Sequence, residues 1–242
     1  MQVFANLRKA AVVRHAGLVY VPSPANGVFR GMLDRDGDEV ARATTLVRYA
    51  PNSTFPSHTH AAGEEFIVLQ GTFRDDVGEY PAGTYVRNAV GSVHAPSIGP
   101  DGCLILVKLR WMVPEDTGAV VNTLSDTPEW TTTQGGGRYL RLYASPITTE
   151  TAWIVHLPPG ATLTHRLDED TGGQEFFVVD GRVEITADAA TSGTYDLYDW
   201  IRLPPQTTDN YAVVVRNPST TAMTRLFVKT GHLAHFLDTT PA

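Results

Sequence analysis

The chain has 242 residues, a formal net charge of −7 and a pI near 5.6, a length that can bury one large core or two cores of about 100–150 residues. An acidic chain without a clustered Lys/Arg face lacks the footprint that nucleic acid requires, no run approaches the ~18 apolar residues of a membrane span, and the start MQVFANLRKA has no signal-peptide core. The expected setting is cytoplasmic, with a small-molecule substrate or ligand as partner, no nucleic acid, no membrane, and a homodimer left open.

Sixteen prolines and twenty-one glycines break the sequence into short apolar runs, which predicts an all-β protein. Residues 1–22 read as an N-terminal arm in which LVYVPS adds an edge strand. A first unit over 23–112 carries TTLVRYA, EEFIVLQGTF and CLILVKLRWMV, rich in β-branched and aromatic residues and too short for core helices. The single cysteine, Cys103, cannot form an internal disulfide or a thiolate-only metal cage, and within CLILVKL it reads as a buried strand residue. Polar, Thr- and Gly-rich residues 113–136 form a linker with room for one strand. A second unit over 137–242 carries TAWIVHL, QEFFVVDGRVEI and RLFVKTGHL.

The two units repeat one another. EEFIVLQGTF at 64–73 aligns with QEFFVVDGRV at 174–183, so that Glu65 matches Glu175 and Gly71 matches Gly181. Upstream, LVRYAPNSTFPSHTH is similar to WIVHLPPGATLTHRL; downstream, YPAGTYVRNA is similar to YDLYDWIRLP. A fixed order of strand, turn, His-bearing strand, Gly turn and strand marks a duplicated module.

Chemistry concentrates in the first copy. In His58-Thr59-His60 the two-residue period of a strand puts both imidazoles on one face and turns Thr59 away. Glu64 follows after a gap that suits a short turn, and Gly71 closes that strand. Gly83, Ala89 and Gly91 then frame a strand, a tight turn and a return that delivers His94. Three neutral imidazoles and one carboxylate suit Fe(II), Zn(II), Mn(II), Ni(II) or Cu(II), whereas Ca²⁺ demands more oxygens. Four ligands leave two positions open on an octahedral ion. Glu65 is the competing carboxylate, but alternation sends it to the opposite face. Tyr85 and Arg87, on the strand leading to His94, either line the pocket or sit on the strand surface.

The second copy has lost this set: Glu64 becomes Gln174, His94 falls on Asp209 or a near neighbour, and only His165 stands near the place of His-x-His. His15, His156, His232 and His235 share no ligand spacing, and His232 with His235 reads as a strand-end pair. No GxSxG elbow, GxxxxGK loop or GxGxxG fingerprint is present.

HTHAAGEEFIVLQG and GTYVRNAVGSVH resemble the two motifs of the cupin superfamily, and EYPAGTYVRNAVGSVHAP is more narrowly similar to the ChrR-like cupins. That group includes the sensor domain of an anti-sigma factor and proteins similar to dihydroxyacetophenone and β-diketone dioxygenases. The resemblance covers about residues 40–110; Ala89 replaces a usual Pro and Ile98 a frequent Asn, neither of them a ligand. It implies two tandem jelly-roll barrels, the first metal-binding and the second degenerate. It also implies one divalent metal per chain on His58, His60, Glu64 and His94, with Glu64 as a proton acceptor. Three functions are open: a non-haem Fe(II) oxygenase acting on a small oxygen-chelating compound, a zinc-holding sensor, and a metal-dependent isomerase or lyase. The ChrR sensor carries a helical sigma-binding domain with Cys and His zinc ligands, which one cysteine cannot supply. The oxygenase, with Fe(II) ahead of Zn(II), Mn(II) or Ni(II), is the favoured expectation.

Overall fold

The computed structural model describes residues 1–123, 129–166, 172–205 and 212–239. These residues form two compact units, one containing Met1–Ala5 and the stretch that starts at Leu18, the other containing Asn6–Gly17 and the C-terminal half. Among the described residues every strand ladder is antiparallel, and helix is confined to short 3-10 turns such as His15–Gly17. The chain is all-β, and each unit is a pair of sheets of cupin type.

In the first unit the large sheet runs in the order Gln2–Val3, Val28–Gly37, Ala41–Tyr49, Ser97–Leu109, Glu64–Arg74, Thr84–Asn88 and Val120–Thr123. Tyr20–Pro22 and Glu79–Pro81 attach to its sides, and His58–His60 pairs with Ser92–His94 as a separate short sheet. The predicted strand in LVYVPS is therefore Tyr20–Pro22, but the arm does more than add one edge. Gln2–Val3 pairs with Asp36 and Arg35 in the first unit, while Ala11–Val13 pairs with Trp200–Arg202 in the second. Likewise the segment read as a linker contributes Val120–Thr123 to the first unit's edge, and Thr131–Thr132 pairs with Arg138 and Tyr139; its residues 124–128 lie outside the described ones.

The second unit repeats the plan with Thr131–Thr132, Arg138–Ala144, Thr151–Leu157, Thr224–Thr230, Gln174–Asp180, Trp200–Leu203 and Ala11–Val13 in the large sheet. Its small sheet runs Thr162–Arg166, Ala212–Arg216, Val183–Thr186 and Gly193–Tyr195. Val155, Phe176, Val178 and Leu226 of the large sheet pack with Val183, Ile185, Val213 and Val215 of the small one, so the core fills the space between the sheets. In the first unit Val47, Phe66, Val68, Phe73, Ile105 and Val107, all on the large sheet, pack together, with Cys103 among them, whose thiol pKa burial pushes up to about 12.

Alternation puts Glu65 and Ile67 on the face turned away from this core, and that face is buried too. This explains why CLILVKL and QEFFVV are continuous apolar runs. The repeated Gly71 and Gly181 share a physical reason. Both adopt positive φ, 70° and 77°, beside a neighbouring strand, and a Cβ would stand 2.1 Å from the Gly102 carbonyl oxygen in one and 2.8 Å from that of Met223 in the other.

Candidate metal centre

The site is built by two short strands and the start of a long one. His58–His60 pairs with Ser92–His94, with His58 opposite His94 and His60 opposite Ser92. The His60 carbonyl oxygen accepts hydrogen bonds from both Gly63 N (3.1 Å) and Gly91 N (2.8 Å), so one peptide ties the turn before Glu64 to the turn before His94. Gly63 has φ 74°, which lets the chain reverse beside Met112 and start the strand Glu64–Arg74 at Glu64.

The result is a convergence of side chains. His58, His60 and His94 each offer a ring nitrogen, all within 4.8 Å of one another. His60 Nε2 lies 3.0 Å from His94 Nε2, and Glu64 Oε2 lies 3.4 Å from His60 Nε2 and 3.6 Å from His94 Nε2. Donor atoms bonded to one ion at about 2.1 Å stand about 3.0 Å apart at right angles and about 3.4 Å apart at the tetrahedral angle. The spacing and the N₃O chemistry of the set therefore fit a divalent transition metal.

Hydrogen bonds select the ring nitrogen that faces inward. His58 Nδ1 donates to the Pro56 carbonyl oxygen (2.9 Å) and His94 Nδ1 to Asp75 Oδ2 (3.1 Å), leaving Nε2 of each directed at the centre. Glu64 is oriented by Asn88, whose Nδ2 donates to Oε2 at 2.9 Å from the opposite position on the adjacent strand. Burial lowers the pKa of His60, with His94 and His58 adding to the shift against the opposing pull of Glu64. A neutral imidazole is the form that binds metal.

Asp75 escapes sequence reasoning because it lies outside both motifs. Its Oδ1 accepts from Val77 N (2.9 Å), Gly78 N (3.1 Å) and the Tyr80 hydroxyl (3.1 Å). Burial pushes its carboxyl up, but the hydrogen bonds from His94 and from these three donors together hold it below the usual carboxylate range. The only sequence signal is the Asp75-Asp76-Val77-Gly78 turn, an ordinary Asx pattern.

Beside these residues opens a cavity of about 370 Å³ whose walls include Val28, Val47, Phe55, Phe73, Val107 and Leu109. Polar groups stand at named points: Arg30, forked onto Glu39 (3.2 and 3.4 Å); Tyr49, whose pKa is raised by burial and then by Glu64; and Arg110, which holds φ 62°.

Tyr85 and Arg87 neither line this cavity nor lie on the surface. They are 0% and 1% exposed, on the opposite face of the sheet, where the Tyr85 hydroxyl donates to Glu65 Oε2 (2.7 Å) and Arg87 bridges Glu65 (3.4 Å) and Asp116 (2.9 Å). The reason is register: both sit in one ladder with Glu65, and the parity that points Glu64 inward points these outward.

The second unit repeats that outer arrangement with Glu175, Arg202 and Lys229 in place of Glu65, Arg87 and Lys108. There Glu175 accepts from Trp200 Nε1 (3.3 Å) and pairs with His232 Nε2 (2.9 Å), and Lys229 pairs with Glu150 (2.7 Å). His232 is thus fully buried in a charge network, not half of a strand-end pair, and His235 is exposed on a 3-10 turn. Gln174 stands buried at the position of Glu64, at the start of the corresponding strand. His165 lies on Thr162–Arg166, but its side chain, like all of Asp209, lies outside the described residues.

Solved structures share this fold at low identity. A candidate dioxygenase from Nostoc punctiforme superposes with TM-score 0.68 at 13% identity, over 97% of this chain and 83% of the other. A candidate glyoxylate-induced protein from Pseudomonas aeruginosa gives 0.70 at 14%, over 91% and 88%. An oxalate decarboxylase from Lactobacillus farciminis, in complex with formate, gives 0.65 at 12%, over 100% and 94%. No curated protein sequence matches the chain. The family model of the ChrR cupin-like domain matches residues 8–113 and again 118–234, so its likeness extends over the second half, beyond the motifs of the first. The chain belongs to the ChrR cupin-like family and carries that domain twice.

Proposed function

We propose that the first cupin is a non-haem Fe(II)-dependent dioxygenase centre for a small substrate that chelates through adjacent or β-related oxygens, such as a β-diketone or a hydroxylated aromatic ketone. The observation that carries the reading is the convergence of three imidazoles and the Glu64 carboxylate at the wall of a largely apolar cavity. His58, His60, His94 and Glu64 would hold the ion through three imidazoles and one carboxylate. Iron(II) bound there would supply redox chemistry toward O₂ and Lewis acidity toward the substrate oxygens.

The protein's own groups do the rest. The Glu64 carboxylate accepts the proton that an acidic C–H or O–H releases as the substrate binds as its anion, and the hydrogen bond from Asn88 keeps that carboxylate aimed. Val28, Val47, Phe55 and Phe73 exclude water and hold the carbon skeleton. The likeness to a candidate dioxygenase is in keeping with this chemistry.

The test is metal analysis of untagged protein, anaerobic Fe(II) reconstitution and an oxygen-electrode assay against both compound classes. One iron per chain with substrate-dependent O₂ uptake, both lost in His60→Ala, is the expected result. One tightly held zinc, with no O₂ uptake after iron loading, overturns the oxygenase reading in favour of a sensing or Lewis-acid role.

A further inference from the structure

The second unit keeps the cavity that the first unit uses. In the first unit Arg30, Val47 and Ile105 stand abreast on three neighbouring strands, and Val107 stands opposite Thr45. In the second, Tyr139, Val155 and Leu226 stand abreast in the same order, and Val228 stands opposite Trp153. Arg30, Val47 and Val107 line the cavity of the first unit; Tyr139, Val155 and Val228 line a cavity of about 460 Å³ in the second. The two cavities occupy one place in the fold.

Their chemistry differs. Arg30 gives way to Tyr139 and Thr45 to Trp153, and Thr162–Arg166 holds no His-x-His. Tyr139 and Trp153 form an edge-to-face corner, centroids 5.2 Å apart at 85°. Trp153 is fixed there because its Nε1 donates to Thr151 Oγ1 at 2.8 Å, which leaves the indole to act through its ring surface. Leu163 adds an apolar wall, while Gln134 and Thr164 bring amide and hydroxyl groups to the exposed side. The described residues that line this cavity carry no formal charge, in contrast to Arg30, Glu39, Glu64 and Arg110 in the first unit.

We propose that the barrel of the second cupin is a metal-independent binding site for a small neutral aromatic molecule bearing a hydroxyl group. The aromatic corner packs against the ligand's ring, Val155, Leu163 and Val228 surround its body, and the hydroxyl meets the Tyr139, Gln134 or Thr164 side chain. The volume lies within the range of small-molecule pockets, roughly 300–1,000 Å³. Loss of the ligand set in the second copy then marks a change of ligand, with the cavity retained.

The test is ¹⁹F NMR titration of the full chain with 4-fluorophenol, with and without chelator. Saturable binding at one site, unchanged by chelator and by His60→Ala, is expected. Leu163→Trp, which fills the cavity, and Thr164→Arg, an exposed change at its mouth, should each weaken binding at least tenfold while the near-UV dichroism stays native. Absence of saturable binding, or binding that is unaffected by Thr164→Arg and abolished by His60→Ala, overturns the proposal.

Discussion

Asp75→Asn is the sharpest probe of the metal centre, because it changes one hydrogen bond and leaves the shape of the side chain intact. Asp75 Oδ2 receives the Nδ1 proton of His94 at 3.1 Å, and Oδ1 receives those of Val77 N, Gly78 N and the Tyr80 hydroxyl. An amide can keep its oxygen toward the three donors, but it then sets an NH₂ group against the His94 Nδ1–H, donor to donor. Alternatively His94 moves its proton to Nε2, the atom that must bind the metal. Either way the metal-bound state loses its orienting acceptor. Loss of such an outer partner costs about 10- to 100-fold in metal affinity, or about 1.4–2.8 kcal/mol.

The assay is competition for Zn(II) or Co(II) against a chromophoric chelator, with the thermal midpoint of the metal-free protein measured beside it. The metal-free midpoint should change far less than the affinity, since the Val77 and Gly78 bonds survive. An affinity within twofold of wild type, in a folded variant, would refute the orienting role of Asp75. A fall in affinity that the metal-free protein's destabilisation fully explains would refute it equally.

Two glycines near the site should respond differently to alanine. At Gly63 (φ 74°) a Cβ would stand 2.1 Å from Met112 Sδ, whereas at Gly91 (φ 82°) nothing lies within 4 Å; urea titration should give about 1–2 kcal/mol for Gly91→Ala and a larger loss for Gly63→Ala, and equal losses would contradict the packing at Met112. Arg87→Met removes the guanidinium that bridges the buried Glu65 and Asp116 and should cost about 3–5 kcal/mol; a loss under ~1 kcal/mol would show that the carboxylates find compensation. His156 has its pKa lowered to about 4 by burial first, then by Arg138 and Arg225. The unfolded chain therefore takes up this proton near pH 6.5 while the folded one does not, so stability falls as pH drops from about 6.5 to about 4. A midpoint near 6.5 for the Cε1–H resonance of His156, assigned by its loss in His156→Gln, would contradict it.

Much of this protein is legible in one sequence because its strongest signals are local. His58-Thr59-His60 declares its face by strand parity alone, and the Gly71/Gly181 match declares a duplication whose cause, a positive φ beside another strand, is the same in both copies. What the sequence hides is the second face of each large sheet. Parity correctly separates Glu64 from Glu65, but it cannot say that the far side is also buried, so Tyr85 and Arg87 read as lining or surface when they are neither. Asp75 is hidden for a related reason: its partner His94 is nineteen residues away, a distance no local pattern encodes. The strand Ala11–Val13 is hidden because its partner is Trp200–Arg202.

The charged positions on that far side carry the last step of the argument. Glu65, Arg87 and Lys108 recur as Glu175, Arg202 and Lys229, yet each set has recruited different neighbours: Tyr85, Asp116 and Thr44 in one, Trp200, His232 and Glu150 in the other. In the opposite faces of the same strands, Glu64 has become Gln174 and Arg30 has become Tyr139. The two faces of one sheet have thus diverged in different ways, the outer keeping its charges while changing their partners, the inner keeping its cavity while changing its chemistry. A buried charge that loses its partner costs several kcal/mol, whereas a cavity wall tolerates exchange of its polar groups as long as water can still reach them. That difference in penalty accounts for a duplicated fold whose buried Glu, Arg and Lys positions recur in both copies while a histidine cluster able to hold a metal occurs, among the described residues, in one copy only.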